Sequence, residues 1–464
     1  MILLSAQEIA NIVGGELIGN GSQSVSAGVE TDSRLVGSDY LFVAKPGEQT
    51  DGHLFVEAAR ENGATVALVE HIVDCKITQI VVKDVVVALG LLAKWVLSTL
   101  REAGHLTVIG LTGSNGKTST KNMLGAVLAG FGETIAPRES FNNEVGAPIS
   151  MLRATTETKF LVVELGAGGI GSIDYLANIC KPDIGVELKV GLAHVGEFGG
   201  IETTAKIKQE LIPHIQAGGV LVFNSDDEYC SKMAANRTGV NLSFGTNAAD
   251  YRLSDASLSL AGTSAKVHFP DGDERELTLQ ILGEHQLMNA AATIAVSDIL
   301  GLDRAKVLSS LAEVPMAERW RMQLVQHDGI AFINDAYNAS PDSMRAALQT
   351  LAVLGRQTGR RTVAVIGEMA ELGTFSAQEH DTVGRLAVRL NIDQIVAVGA
   401  GAKLVFMGAA QEGSWDGESI FFERIDEALE ALRGMLRSGD IVLIKSSKSA
   451  NLRHLGDELM GVEK

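Results

Sequence analysis

Thr112-Gly113-Ser114-Asn115-Gly116-Lys117-Thr118 decides the reading of this chain. An apolar run, Leu106 to Leu111, precedes it, and a helix-like stretch, Ser119 to Leu128, follows. Strand, glycine-bearing loop and helix in that order build a phosphate cradle, in which loop amides face phosphate oxygens and the helix N-terminus adds partial positive charge. Lys117 is placed to reach the terminal phosphates of a nucleotide, and the Thr118 hydroxyl to sit on Mg²⁺. The full pattern asks for glycine where this chain has Leu111, so the match is shortened. The flanking strand and helix weigh against an ordinary βα turn, and a nucleoside triphosphate such as ATP is the expected ligand from Thr112 to Ser119.

Working outward, three regimes alternate strands with helices. Short strands (Tyr40 to Ala44, Val66 to Val69, Ile80 to Val82) and a long amphipathic helix, Val85 to Arg101, fill residues 1–103. Residues 104–315 hold the phosphate loop, apolar runs at Phe160 to Glu164, Ile184 to Val190 and Gly219 to Phe223 that suit buried parallel strands, and an alternating stretch, Leu253 to Leu282, with an Asp271–Asp273 turn that reads as antiparallel. Residues 316–464 give strands at Ile330 to Asn334, Thr362 to Ile366, Gln394 to Val398 and Asp440 to Ile444. The expected fold is α/β in three domains: a smaller mixed amino-terminal one, a central ATPase domain with a mostly parallel sheet, and a Rossmann-like carboxy-terminal one. Ligands then bind at the carboxyl ends of the strands.

Bulk properties narrow the partners. A length of 464 residues exceeds one core. A formal charge of −18 argues against nucleic acid and anionic membranes. No run is long enough to span a bilayer and the first residues lack a signal-peptide pattern, so no membrane insertion and a cytoplasmic location are expected. Cys75, Cys180 and Cys230 are odd in number and lack a C-x-x-C pair, which suits buried reduced thiols.

Polar groups gather at strand exits. Glu164 closes an apolar strand, the usual place for a Mg²⁺ ligand or a water-positioning carboxylate beside a phosphate loop. His194 lies past the next strand, as a structural hydrogen-bonder or as part of the metal and phosphate chemistry. Lys206 and Lys208 fall about 200° apart on a helix, so one faces the site and the other solvent. Asn334 to Pro341, containing Asp335, Tyr337 and Asn338, and Gly367 to Gly373 form two loops on one edge of the third sheet.

Together these stretches resemble the Mur ligase family of peptidoglycan synthesis. The phosphate loop is similar to the family's shortened one. Asn142-Asn143-Glu144-Val145-Gly146-Ala147-Pro148 resembles its substrate-side segment, and the 335–338 and 367–373 stretches with His380 resemble the member that adds a dipeptide. Thr31-Asp32-Ser33-Arg34, and Gly47 with Asp51-Gly52-His53, are similar to segments that hold the UDP-sugar. The resemblance implies ATP- and Mg²⁺-dependent joining of D-alanyl-D-alanine to the terminal carboxylate of UDP-N-acetylmuramoyl-tripeptide through an acyl phosphate, by a monomer. It implies Lys117, Glu164, His194 and Lys208 as catalytic, with Thr118, Glu164, His194 and a carbamylated Lys208 on the metal. His285 and Asn289 would take the adenine end of ATP, and Arg319 and Asp335 its phosphates and ribose. Asp32, Ser33, Arg34, Gly47, Asp51, Gly52, His53, Asn142, Asn143, Glu144, Tyr337 and Asn338 would meet the other substrates.

The chain departs from the family pattern at Ser172, Leu188-Lys189, Gln286, Ser340 and Ser446, and Lys189 is expected to bring positive charge close to the metal site. A sister ligase adding another amino acid, and a P-loop ATPase or inactive nucleotide-binding protein without ligase activity, are the competing readings.

Overall fold

The structure is a computed structural model that describes residues 1–462 apart from 48, 49, 105, 138–140, 194, 316–318 and 414–416. Three large sheets organise the chain. The amino-terminal sheet has five strands in the order Glu16–Ile18, Thr78–Val81, Ala64–Val69, Tyr40–Val43, Gly28–Glu30, parallel except for the first pair. Its strands alternate faces with period two. Leu41, Val43, Val66 and Leu68 enter one core, and Phe42, Ala67 and Val69 the other.

The helix Val85–Glu102 follows, started by Asp84, whose carboxylate accepts the Val86 and Val87 amides. One of its faces (Leu89, Leu92, Val96, Leu100) packs in a single core with the amino-terminal sheet and with Val108, Ile149, Leu161 and Leu176 of the central part.

The central sheet has nine strands in the order Glu274–Leu279, Gly262–His268, Tyr251–Ser259, Val240–Gly245, Val220–Asn224, Ile184–Glu187, Thr107–Thr112, Thr158–Glu164, Glu133–Ile135. The pairs from Tyr251–Ser259 to Glu133–Ile135 are parallel, while the two formed by Gly262–His268 with its neighbours are antiparallel. The alternating stretch after Leu253 thus extends this sheet, turning at Phe269–Asp273, where the Phe269 amide donates to Asp273 O at 2.9 Å. The strand from Ile184 stops at Glu187, short of Val190. Side chains from the next crossing take over its ladder there: Asn224 Nδ2 donates to Leu188 O, and Asp227 Oδ2 accepts the Val190 amide.

The carboxy-terminal sheet has six strands, Gln323–His327, Ile330–Asn334, Ile441–Lys445, Thr362–Ile366, Gln394–Val398, Ser419–Phe422, parallel apart from the first pair. Near-continuous apolar strands covered by helices on both faces make it doubly wound. No helix among the described residues is long and apolar enough to cross a membrane. Cys180 and Cys230 are buried as expected; Cys75 is only half-buried, its thiol donating to Glu57.

Candidate active site

The strand Thr107–Thr112 lies between Ile184–Glu187 and Thr158–Glu164, so three parallel strands deliver their carboxyl ends to one edge. Thr112 is buried and its hydroxyl donates to Leu165 O at 3.0 Å. The Ser114 amide donates to Lys189 O at 2.7 Å, and Ser114 Oγ both donates to Gly191 O and accepts the Gly191 amide. Gly113 and Gly116 bracket the turn. Gly116 has φ +87°, and a Cβ there would collide with the Asn289 side chain. The helix Lys117–Ala129 then starts with no side-chain cap, with Lys117, Thr118 and Ser119 in its first turn. Lys117 curls over its own loop, donating to Gly113 O at 2.6 Å and Ser114 O at 3.4 Å. Burial lowers its pKa, Glu164 opposes that, and the charge of Arg321 adds to it.

Beside this loop Glu164 is 1 % exposed. Its Oε1 accepts Asn142 Nδ2 at 2.8 Å and Thr118 Oγ1 at 3.5 Å. Its Oε2 takes no hydrogen bond, and the ammonium of fully buried Lys121 lies 3.6 Å away. A buried carboxylate with one oxygen free of hydrogen bonds and the other beside a threonine hydroxyl suits a hard divalent cation. Thr118 and Glu164 fit such an ion, although among the described residues no three His, Cys, Asp or Glu side chains gather as a ready site. His194 lies outside the described residues.

The helix Ile201–Gln209 carries Lys206 on its exposed side and Lys208, 3 % exposed, inward. Among the described residues Lys208 makes no hydrogen bond or ion pair. Burial, then the charge of Lys117, pushes its pKa down to about 7, against Glu187, Glu210 and Glu164. Glu187, at the end of the strand next to the phosphate loop, is fully buried with neither oxygen hydrogen-bonded, and burial holds its pKa well above the usual carboxylate range.

A cleft of about 680 Å³ between the central and carboxy-terminal sheets runs from Asn115 and Gly116 past Lys189 and Asp342 to His285. Burial brings the His285 pKa down to about 4, opposed by the charge of Asp335 and aided by those of Lys445 and Lys189, so the ring is neutral at ordinary pH. Asn289 is spent inside the protein: its Nδ2 donates to Gln286 Oε1 at 2.9 Å, and its Oδ1 accepts Thr120 Oγ1 at 3.3 Å behind Gly116. Lys189 turns toward Asp342, at 3.1 Å.

In the carboxy-terminal part, Lys445 Nζ donates to Asp335 Oδ2 at 2.5 Å and to Asn338 O at 3.1 Å, so Asp335 and Asn338 are fixed by one buried lysine. Arg321 stacks over Tyr337 with 4.0 Å to the ring centroid, and Lys448 lies on the same ring. Arg319, by contrast, donates to the buried Asp457 carboxylate at 3.1 Å. His380 accepts the Met369 amide through Nε2 and donates from Nδ1 to Ser376 O, bracing the 367–373 loop.

The sugar-side motifs follow two neighbouring parallel strands, Gly28–Glu30 and Tyr40–Val43. Asp32 caps the turn Ser33–Leu35 and pairs with exposed Arg34; Gly47 donates its amide to Thr50 O; Asp51 caps Gly52–Phe55. His53 has both nitrogens engaged, by Asp51 Oδ1 at 2.6 Å and the Glu70 amide at 2.8 Å. Asn143 Oδ1 accepts the Gly146 amide, and Asn142, Asn143 and exposed Glu144 line a second cleft of about 640 Å³ with Tyr175. Sequence reading passed over Lys121, Glu187, Arg321, Lys445 and Asp342. Only Arg321, next to Arg319, carried a visible cue.

Three family profiles match in chain order: Mur ligase family, catalytic domain, over residues 26–94; Mur ligase middle domain over 111–297; and Mur ligase, glutamate ligase domain, over 320–448. The chain belongs to the Mur ligase family, and it is an ATP-dependent ligase. It is 40 % identical to the UDP-N-acetylmuramoyl-tripeptide–D-alanyl-D-alanine ligase of Mycobacterium tuberculosis H37Rv, over 99 % of this chain and 98 % of that one. It superposes on a crystal structure of MurF from Acinetobacter baumannii with TM-score 0.90 and 33 % identity, covering 99 % of both chains. MurF from Thermotoga maritima in complex with ADP superposes with TM-score 0.79 and 28 % identity, over 93 % of this chain and 96 % of that one.

Proposed function

We propose that this ligase joins D-alanyl-D-alanine to the terminal carboxylate of UDP-N-acetylmuramoyl-tripeptide, giving the pentapeptide, ADP and phosphate, in the cytoplasm of a bacterium. The observation that carries this reading is the meeting of the phosphate loop with the 335–340 loop. Ser340 Oγ donates to Asn115 Oδ1 at 3.2 Å, so a nucleotide on the first loop faces the groups of the second.

Lys117 leaves its loop carbonyls for the terminal phosphates, and Arg321, held on Tyr337, adds positive charge from the opposite sheet. Thr118 and Glu164, with His194, would hold Mg²⁺, which would supply charge neutralisation to the phosphoryl group. Lys208, whose lowered pKa favours a neutral amine, is the group we assign as a carbamate on the metal side. His285 takes the adenine end as a neutral ring, while Asn289 supports the loop from behind. Asp335 and Asn338, locked by Lys445, orient Tyr337 and the incoming amine. Residues 1–103, through Asp32, Ser33, Arg34 and the 47–53 segment, receive the UDP-sugar; residues 104–315 hold ATP and 316–464 the dipeptide. Charge placed where the phosphoryl group moves supplies the catalysis.

The test is phosphate release in a coupled assay. Release should require Mg²⁺, the UDP-linked tripeptide and D-alanyl-D-alanine together. Brisk hydrolysis of ATP by the protein alone points to an ATPase switch, and turnover with another amino acid in place of the dipeptide points to a sister ligase.

A further inference from the structure

Building on the ligase reading, we propose that Asp342, gripped by Lys189, is a positioning residue for the reaction: it clasps the carboxy-terminal sheet to the phosphate loop. Asp342 stands in the first turn of the helix Pro341–Thr358, directly after the 335–340 loop. Its two carboxylate oxygens reach across to one segment of the central part. Oδ1 meets Lys189 Nζ at 3.1 Å, and Oδ2 accepts the Leu192 amide at 3.0 Å. That segment is itself tied to the phosphate loop through Ser114, which bonds Lys189 O and Gly191. A Cβ at Gly191 would collide with Asp342 Oδ2, so only glycine lets the carboxylate come this close.

Further along the same segment, Val195 packs into the carboxy-terminal core, and the Gly196 amide donates to Glu371 O at 3.2 Å. The phosphate loop, residues 189–193 and the 335–340 loop are therefore linked by consecutive short contacts, and the Asp342 grip is an ionic one. Lys189 is about half exposed, so the ion pair alone contributes little in water. Its strength comes from the shared, partly buried carboxylate with a backbone donor on its second oxygen. The Lys189 ammonium is held by the Asp342 carboxylate.

The experiment compares wild type, Asp342→Ala, Lys189→Met (which leaves the helix N-terminus intact) and the charge swap Lys189→Asp/Asp342→Lys. Small-angle scattering of each protein, free and with ADP, reports the spread of the two sheets, and calorimetry reports ADP affinity. Asp342→Ala should lose about tenfold or more in kcat and Lys189→Met, which spares the Leu192 contact, about threefold, while ADP affinity stays within about twofold. Their scattering should shift to larger dimensions, and the charge swap, which restores the ion pair but not the acceptor for the Leu192 amide, should regain only part of the loss. Scattering unchanged in both single variants, kcat within about twofold of wild type, or ADP affinity falling in step with kcat overturns the clasp. Scattering and ADP binding do not need turnover, so a wild type without ligase product sinks the ligase reading while leaving the clasp separately decided.

Discussion

Thr118 Oγ1 stands 3.5 Å from Glu164 Oε1, which joins the first turn of the phosphate helix to the end of the neighbouring strand. The other oxygen of Glu164 is buried without a hydrogen bond, with the Lys121 ammonium 3.6 Å away, so a cation already balances this carboxylate beside the glycine loop. Glu164→Gln keeps an acceptor for Asn142 but removes the negative charge. The Mg²⁺ concentration for half-maximal turnover should rise at least about tenfold, roughly 1.4 kcal/mol of metal binding. Titration with Mn²⁺ followed by electron paramagnetic resonance checks the binding directly, and equal Mn²⁺ affinity in both proteins rejects the assignment.

Lys117→Ala removes the ammonium that now rests on the Gly113 and Ser114 carbonyls. It should lower kcat by well over tenfold, more than about 1.4 kcal/mol of barrier, with an unchanged circular dichroism spectrum. A variant keeping more than about a tenth of wild-type kcat means that the phosphates lie elsewhere.

Arg319 and Arg321 should behave differently. Arg319 is committed to Asp457, whereas Arg321 rests on Tyr337 and its charge is felt at Lys117. Arg321→Ala should cost kcat at least tenfold. Arg319→Ala, which leaves a buried carboxylate short of a donor, should act on stability by about 1–3 kcal/mol instead. Steady-state kinetics beside thermal unfolding separates the two, and the reverse pattern restores Arg319 as the phosphate arginine.

Lys208→Ala should lose activity that short carboxylic acids partly restore. In wild type, ¹³C-bicarbonate should give a carbamate resonance that disappears in the variant. Full activity without Lys208, or no such resonance under turnover conditions, removes the modified lysine from the site.

Glu187 gives a pH prediction. Its native pKa is raised above the ordinary value of 4.5, so between those two values the native state holds a proton that the unfolded chain has released. Stability therefore falls as pH rises through that window. Glu187→Gln cannot titrate. Its melting temperature minus that of wild type should grow from pH 5 to pH 7, below the range where Lys208, with its pKa lowered to about 7, makes stability rise with pH. A difference independent of pH shows that Glu187 is not held protonated.

The phosphate loop was legible because it is local: strand, glycines, lysine and threonine follow one another in sequence. The apolar runs at Phe160 and Ile330 were legible because strands covered on both faces have no polar positions to blur them. Other features depend on distant chain. The strand from Ile184 ends early because Asn224 and Asp227, far along in sequence, take its hydrogen bonds. Arg319 and Arg321 look alike on paper, but Trp320 and Met322 both adopt positive φ, and that kink sends the two guanidinium groups to different partners. Glu187 reads as one more polar strand end, and its burial, within reach of the Lys208 and Asp227 charges, arises only from distant parts of the chain.

The helix Val85–Glu102 has a practical outcome for anyone dividing the molecule. It supplies one face to a core that the amino-terminal and central sheets own jointly. A fragment stopped at residue 103 would carry half of that core into water and should aggregate when expressed alone. Any cut between the first two sheets is therefore a cut through one core, whereas the third sheet is covered by two cores built mostly from its own residues.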